Sequence, residues 1–107
     1  ALLVFSVIII FHELGHFLAF IAGNVDQSSA FASVYNSEKA KFTGYNKAYA
    51  TQNAAEYFAE SVKDYMLNGA ALSSQRPNTY KAIQSALNTV TTARADAILK
   101  AYSSIWN

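Results

Sequence analysis

The sequence predicts a mainly α-helical domain of about five helices, and three observations carry that expectation. Hydrophobic residues make up 52% of the 107 positions and aromatic residues 14%, which suits a packed body rather than disorder. One Pro and four Gly leave few breaks. Apolar positions recur three and four residues apart along most of the chain, the period of a helix with one buried face. A chain of this length builds a single core, so residues 1–107 are read as one domain.

The first element is the apolar run from Ala1 to Ala22. Its helix is expected from about Ser6, a plausible N-cap, to Ala22, with Ala1–Val4 as the tail of a strand or loop. Gly23-Asn24 stops it. Asn24–Ser29 is a polar turn. A short helix then runs from Ser28 or Ser29 to about Lys41, burying Phe31, Val34 and Tyr35 and turning Glu38, Lys39 and Lys41 to solvent. Phe42 to about Gln52 reads as loop.

Asn53 is the expected N-cap of the next helix, with Glu56 at the capping-box position. That helix runs to Leu67, buries Ala55, Phe58, Ala59, Val62 and Met66, and closes at Asn68-Gly69. Leu72–Arg76 is loop. Pro77 sits in the first turn of a helix whose Tyr80, Ile83, Leu87 and Val90 share a face. Thr89–Thr92 marks a break before a last helix, about Ala93 to Ile105. There Asp96 and Lys100 form an exposed pair, and Trp106 is a C-terminal anchor.

Composition also excludes functions. A net charge of +1, with basic residues scattered rather than striped, argues against nucleic-acid binding. The absence of Cys removes a thiol nucleophile, a disulfide framework and any thiolate metal site. The chain starts at Ala1 as if inside an element, so a fragment of a longer precursor is expected, with any signal peptide upstream.

The chemistry concentrates in His12-Glu13-Leu14-Gly15-His16, which holds both histidines of the chain. Histidines four residues apart on a helix lie about 40° apart in azimuth and roughly 6 Å apart along the axis. That spacing suits two imidazoles meeting one Zn2+ ion. Glu13 lies a further ~100° round the helix, beside the ion, where it can take a proton from water as general base. Gly15 costs helix propensity, and its small size lets a backbone or substrate approach.

A catalytic zinc site needs a third protein ligand and one open position. Without Cys or a third His, that ligand must be Asp or Glu. Asp26 follows His16 too closely, on a turn, and Glu38, Asp64 and Asp96 sit on polar faces near Lys. Glu56 and Glu60 remain, one turn apart on the strongest amphipathic helix. Glu56 is the candidate ligand, and Glu60 the partner for the free ring N–H of a ligand His. The plainer alternative is two solvated glutamates, one of them capping the helix.

The motif His12–His16, the stretch Tyr49-Ala-Thr-Gln-Asn-Ala-Ala-Glu56-Tyr-Phe-Ala-Glu60 and the run Pro77-Asn-Thr-Tyr80 together resemble the anthrax lethal factor-like zinc metallopeptidases. That family includes the small secreted Pro-Pro endopeptidases. The resemblance covers roughly Val7 to Val90. It implies a zincin-like catalytic domain, with His12, His16 and Glu56 as zinc ligands and Glu13 as general base. It also implies that Tyr49 donates its phenolic O–H to the developing oxyanion, a role the residue alone does not suggest. A secreted protein acting on protein or Pro-rich peptide substrates follows from the same resemblance, and a monomer is expected.

The family places strands before the active-site helix, and an edge strand there pairs with extended substrate. This chain has no room for them, so the fragment is expected to bind zinc yet cleave poorly or not at all. Two other readings stand beside the peptidase. One is a non-catalytic helical binding module with a vestigial metal site. The other is an intramembrane protease, since Phe11–Ala19 also resembles the active helix of site-2 proteases and the first apolar run is about 20 residues long.

Overall fold

The computed structural model describes residues 2–44 and 46–90 together with Lys100, and the side chains from Ile8 onward. Among these residues there are five α-helices and no strand: α1 (Leu2–Ile21), α2 (Ser29–Glu38), α3 (Lys47–Ala50), α4 (Ala54–Gln75) and α5 (Pro77–Thr89). Short 3-10 turns at Val25–Gln27 and Lys39–Lys41 flank α2. The expected helix Ala93–Ile105, the Asp96–Lys100 pair and the Trp106 anchor lie outside the described residues.

Helix α1 starts earlier than its sequence suggests. It is helical from Leu2, so Ser6 lies within it rather than capping it. Its β-branched residues cost only fractions of a kcal/mol each in a helix, about 0.7 at most, and no Gly or Pro interrupts them before Gly15. The C-terminus ends as expected, with Gly23 at φ 88° and Asn24 at φ 58°, both in the left-handed region. Among the described residues, no helix is long and apolar enough to cross a membrane.

Ser28 caps α2, its Oγ accepting the Phe31 N–H at 3.1 Å. Asn53 caps α4 in the same way, accepting the Glu56 N–H at 2.8 Å. Helix α4 is the centre of the molecule, packed against α1 on one side and α5 on the other. Tyr57, Phe58 and Ala59 are fully buried, and Val62 nearly so. Phe31 meets Phe58 edge to face with ring centroids 5.1 Å apart, a favoured aromatic geometry.

The expected end of α4 at Asn68-Gly69 is a kink instead. Asn68 leaves helical geometry (φ −156°, ψ 64°), and the helix then resumes to Gln75. The continuation buries Leu72, which a loop would have left wet, and carries Arg76 back beneath α4. Met66 is not core: it is 52% exposed, at the lip of an apolar groove formed with Leu14, Phe17, Tyr65 and Leu87.

Glu38 is the second correction. It is buried rather than solvated, because the N-terminus of α5 needs an acceptor. Pro77 has no N–H to offer, so the first free donors are Asn78 and Thr79. Their N–H groups donate to the two oxygens of Glu38 at 3.0 and 2.7 Å, and the Thr79 hydroxyl donates at 2.7 Å. The Thr79 proton being used, Tyr57 O–H is the donor in the 2.7 Å bond to Thr79 Oγ1. Burial pushes the Glu38 carboxyl up, but these hydrogen bonds and Lys41 outweigh it and hold the group below its ordinary value.

Candidate metal centre

The site lies where α1 crosses α4, and Gly15 sets how closely they approach. A Cβ at Gly15 would stand 2.6 Å from Ala59 Cα and 2.7 Å from its carbonyl oxygen, so only glycine fits. Gly15 lies between His12 and His16, and Ala59 lies between Glu56 and Glu60. The contact of the two backbones therefore brings both pairs of side chains to one place.

His12 Nε2 is 2.9 Å from Glu56 Oε2, His16 Nε2 is 3.3 Å from Glu56 Oε1, and the two Nε2 atoms are 3.2 Å apart. The donor atoms of His12, His16 and Glu56 all lie within 4.8 Å of one another. A carboxylate only accepts, so the 2.9 Å contact of His12 Nδ1 with Glu60 Oε1 requires a proton on Nδ1. In neutral His12, Nε2 is then a bare lone pair aimed at a second carboxylate and at another imidazole. A proton on Nε2 relieves one of those contacts, whereas a divalent cation among the three groups relieves them all.

Spacing supports the same conclusion. Four ligands placed tetrahedrally at zinc distances of 2.0–2.1 Å are separated from one another by about 3.3 Å. The three separations here, 2.9 to 3.3 Å, are close to that edge length. Two nitrogens and a carboxylate oxygen also form a donor set that zinc accepts. These residues fit a zinc ion.

Glu60 continues into a chain of charges. Its second oxygen accepts from Lys63 Nζ at 2.9 Å; Lys63 also lies 3.7 Å from Asp64, which accepts from Arg76 at 2.7 Å. Arg76 is 3% exposed, donates to Ser61 Oγ at 2.9 Å and lies over the Phe42 and Tyr57 rings. Burial pushes the Asp64 carboxyl up, against the pull of Lys63 and Arg76. Sequence reasoning missed Lys63 and Arg76. The Glu60–Lys63 spacing of three residues was the available signal for the first, while Arg76 was hidden by assigning it to a loop.

Glu13 is exposed on the turn of α1 that carries His12. Tyr49 sits on α3, half exposed, with its ring centroid 6.4 Å from that of His12. The charge of Glu56 first, then partial burial, a hydrogen bond to Glu56, and the charges of Glu13 and Glu60 raise the Tyr49 phenol above its ordinary value. The structure brings all six sequence-predicted residues to this one region, and the capping-box use of the Glu56 carboxylate gives way to its contacts with both histidines.

The family model described as anthrax toxin lethal factor, N- and C-terminal domain, matches residues 5–86. The chain belongs to this family. The lethal factor family span includes the His12–His16 motif, Tyr49, Glu56 and Glu60, and also Pro77–Tyr80. In that last run Thr79, with the N–H groups behind Pro77, makes the buried junction with Glu38. Comparison with curated proteins and with solved structures gave no match.

Proposed function

We propose that this lethal factor family chain is a zinc-dependent metalloendopeptidase domain acting on protein or peptide substrates. The observation that carries the reading is the convergence of His12, His16 and Glu56 donor atoms within 4.8 Å. These three residues hold the ion. Zinc bound there supplies a Lewis acid that polarises a carbonyl and makes water acidic near neutral pH.

The remaining roles belong to the chain's own groups. Glu13 is exposed on the face of α1 beside His12, free to take the proton of the attacking water and return it to the leaving amine. Glu60 accepts a hydrogen bond from His12 Nδ1–H, which fixes the ring's orientation and tautomer with Nε2 pointed toward Glu56. Tyr49, whose ring lies beside that of His12, offers its phenolic O–H to the oxyanion that develops on the carbonyl.

Incubation of the chain, or of the longer protein containing it, with a peptide library tests the proposal. Cleavage that stops with a chelator and returns with zinc is the expected result. Glu13→Ala should keep zinc and lose hydrolysis. Full activity in that variant would remove the mechanism.

A further inference from the structure

We infer that Lys63 is a positioning residue of the metal centre, acting through Glu60. The inference rests on the proposed zinc site and goes beyond its ligands. Glu60 has two oxygens and two partners. One oxygen accepts from His12 Nδ1 and the other from Lys63 Nζ, each at 2.9 Å, and both side chains of the ion pair are largely buried, at 13% and 14% exposure. Glu60 is thus tethered at both ends, and its rotation is fixed by a cation on its own helix.

Lys63 is itself held from behind. Asp64 lies 3.7 Å from its Nζ and is gripped by the buried Arg76 at 2.7 Å. Behind the His12 imidazole the series Glu60, Lys63, Asp64, Arg76 alternates in charge, so each of these two carboxylates faces a cation. Without Lys63, Glu60 would be free to swing, and His12 would lose the acceptor that fixes its tautomer.

Two physical effects of removing Lys63 have opposite signs, which makes the inference testable. Simple electrostatics says that deleting a cation near a dication tightens zinc binding. Loss of positioning says that it weakens binding, by on the order of tenfold if Lys63 acts as strongly as other groups behind a metal ligand.

Zinc affinity of the full chain is measured by competition with a chromogenic chelator for the wild type, K63M, K63R, E60Q and the double variant K63M/E60Q. Circular dichroism checks that each is folded. The expected result is weaker zinc binding in K63M, recovery in K63R, and no additional loss when K63M is placed in the E60Q background. Unchanged or tighter binding in K63M overturns the inference, as does an equal loss in the E60Q background. Should K63M unfold, K63R against K63Q gives the same comparison with a polar side chain. A wild type that does not bind zinc overturns the zinc site itself, a separate and recognisable failure.

Discussion

Gly15 and Ala59 are in backbone contact, and this contact aligns the two halves of the metal site. A methyl group on Gly15 would fall 2.6 Å from Ala59 Cα, on backbone atoms that cannot rotate away. Glycine here costs about 1 kcal/mol of helix propensity relative to alanine. The chain carries that cost in the middle of its most apolar helix, and gains the approach of His12 and His16 to Glu56 and Glu60.

Gly15→Ala should therefore destabilise the fold despite better helix propensity, by about 1–3 kcal/mol, the usual range for overpacking. Zinc affinity should fall with it, as α1 and α4 separate. Thermal melting and chelator competition check both effects. A G15A protein as stable as the wild type, with unchanged zinc affinity, would show that the approach is not limiting.

The junction of Glu38 with the start of α5 makes a prediction about pH. The folded carboxyl titrates below its unfolded value, because Thr79 and Asn78 hydrogen-bond its charged form. Folding thus favours the ionised state, and its contribution is complete above about pH 5 and drains away as pH falls through the depressed value. Glu38→Gln should cost about 2 kcal/mol at pH 7, in the range for hydrogen bonds to a charged group. The loss should shrink in acid. Denaturant melts of both proteins at pH 7 and pH 3.5 check this, and an equal difference at both pH values would contradict it.

Tyr49 gives a prediction that separates chemistry from metal binding. Tyr49→Phe removes one hydroxyl from a half-exposed ring and no metal donor. Zinc content should be unchanged, while peptide hydrolysis falls about 100- to 1,000-fold, as when an oxyanion donor is removed. Steady-state kinetics beside metal analysis reads both quantities. Equal activity would exclude Tyr49 from the reaction.

The parts legible in the sequence are those whose cause is local. Helix periodicity, the start of α2 at Ser28 or Ser29, the Asn53 cap, the Gly23-Asn24 stop and the paired histidines each follow from a few neighbouring residues. Glu56 and Glu60 could be reached by elimination, because so few metal-binding side chains exist in the chain. Tyr49 could be reached only by resemblance.

Long-range partners were not legible. Glu38 looks solvated among lysines because its partners, Asn78 and Thr79, lie some forty residues onward. The continuation of α4 past Asn68-Gly69 is decided by the burial of Leu72 and Arg76, a tertiary gain that overrides a local stop signal. Met66 fits the helical stripe, yet it is left half exposed at the lip of the groove. In each case packing supplied what periodicity lacks.

The central claim is that two imidazoles of α1 and one carboxylate of α4 share a cation. Zinc stoichiometry by elemental analysis, on the wild type and on Glu56→Ala purified alike, tests it most directly. The account predicts one zinc per chain in the wild type and substantial loss in the variant. Equal zinc in both proteins, or none in the wild type, would contradict it.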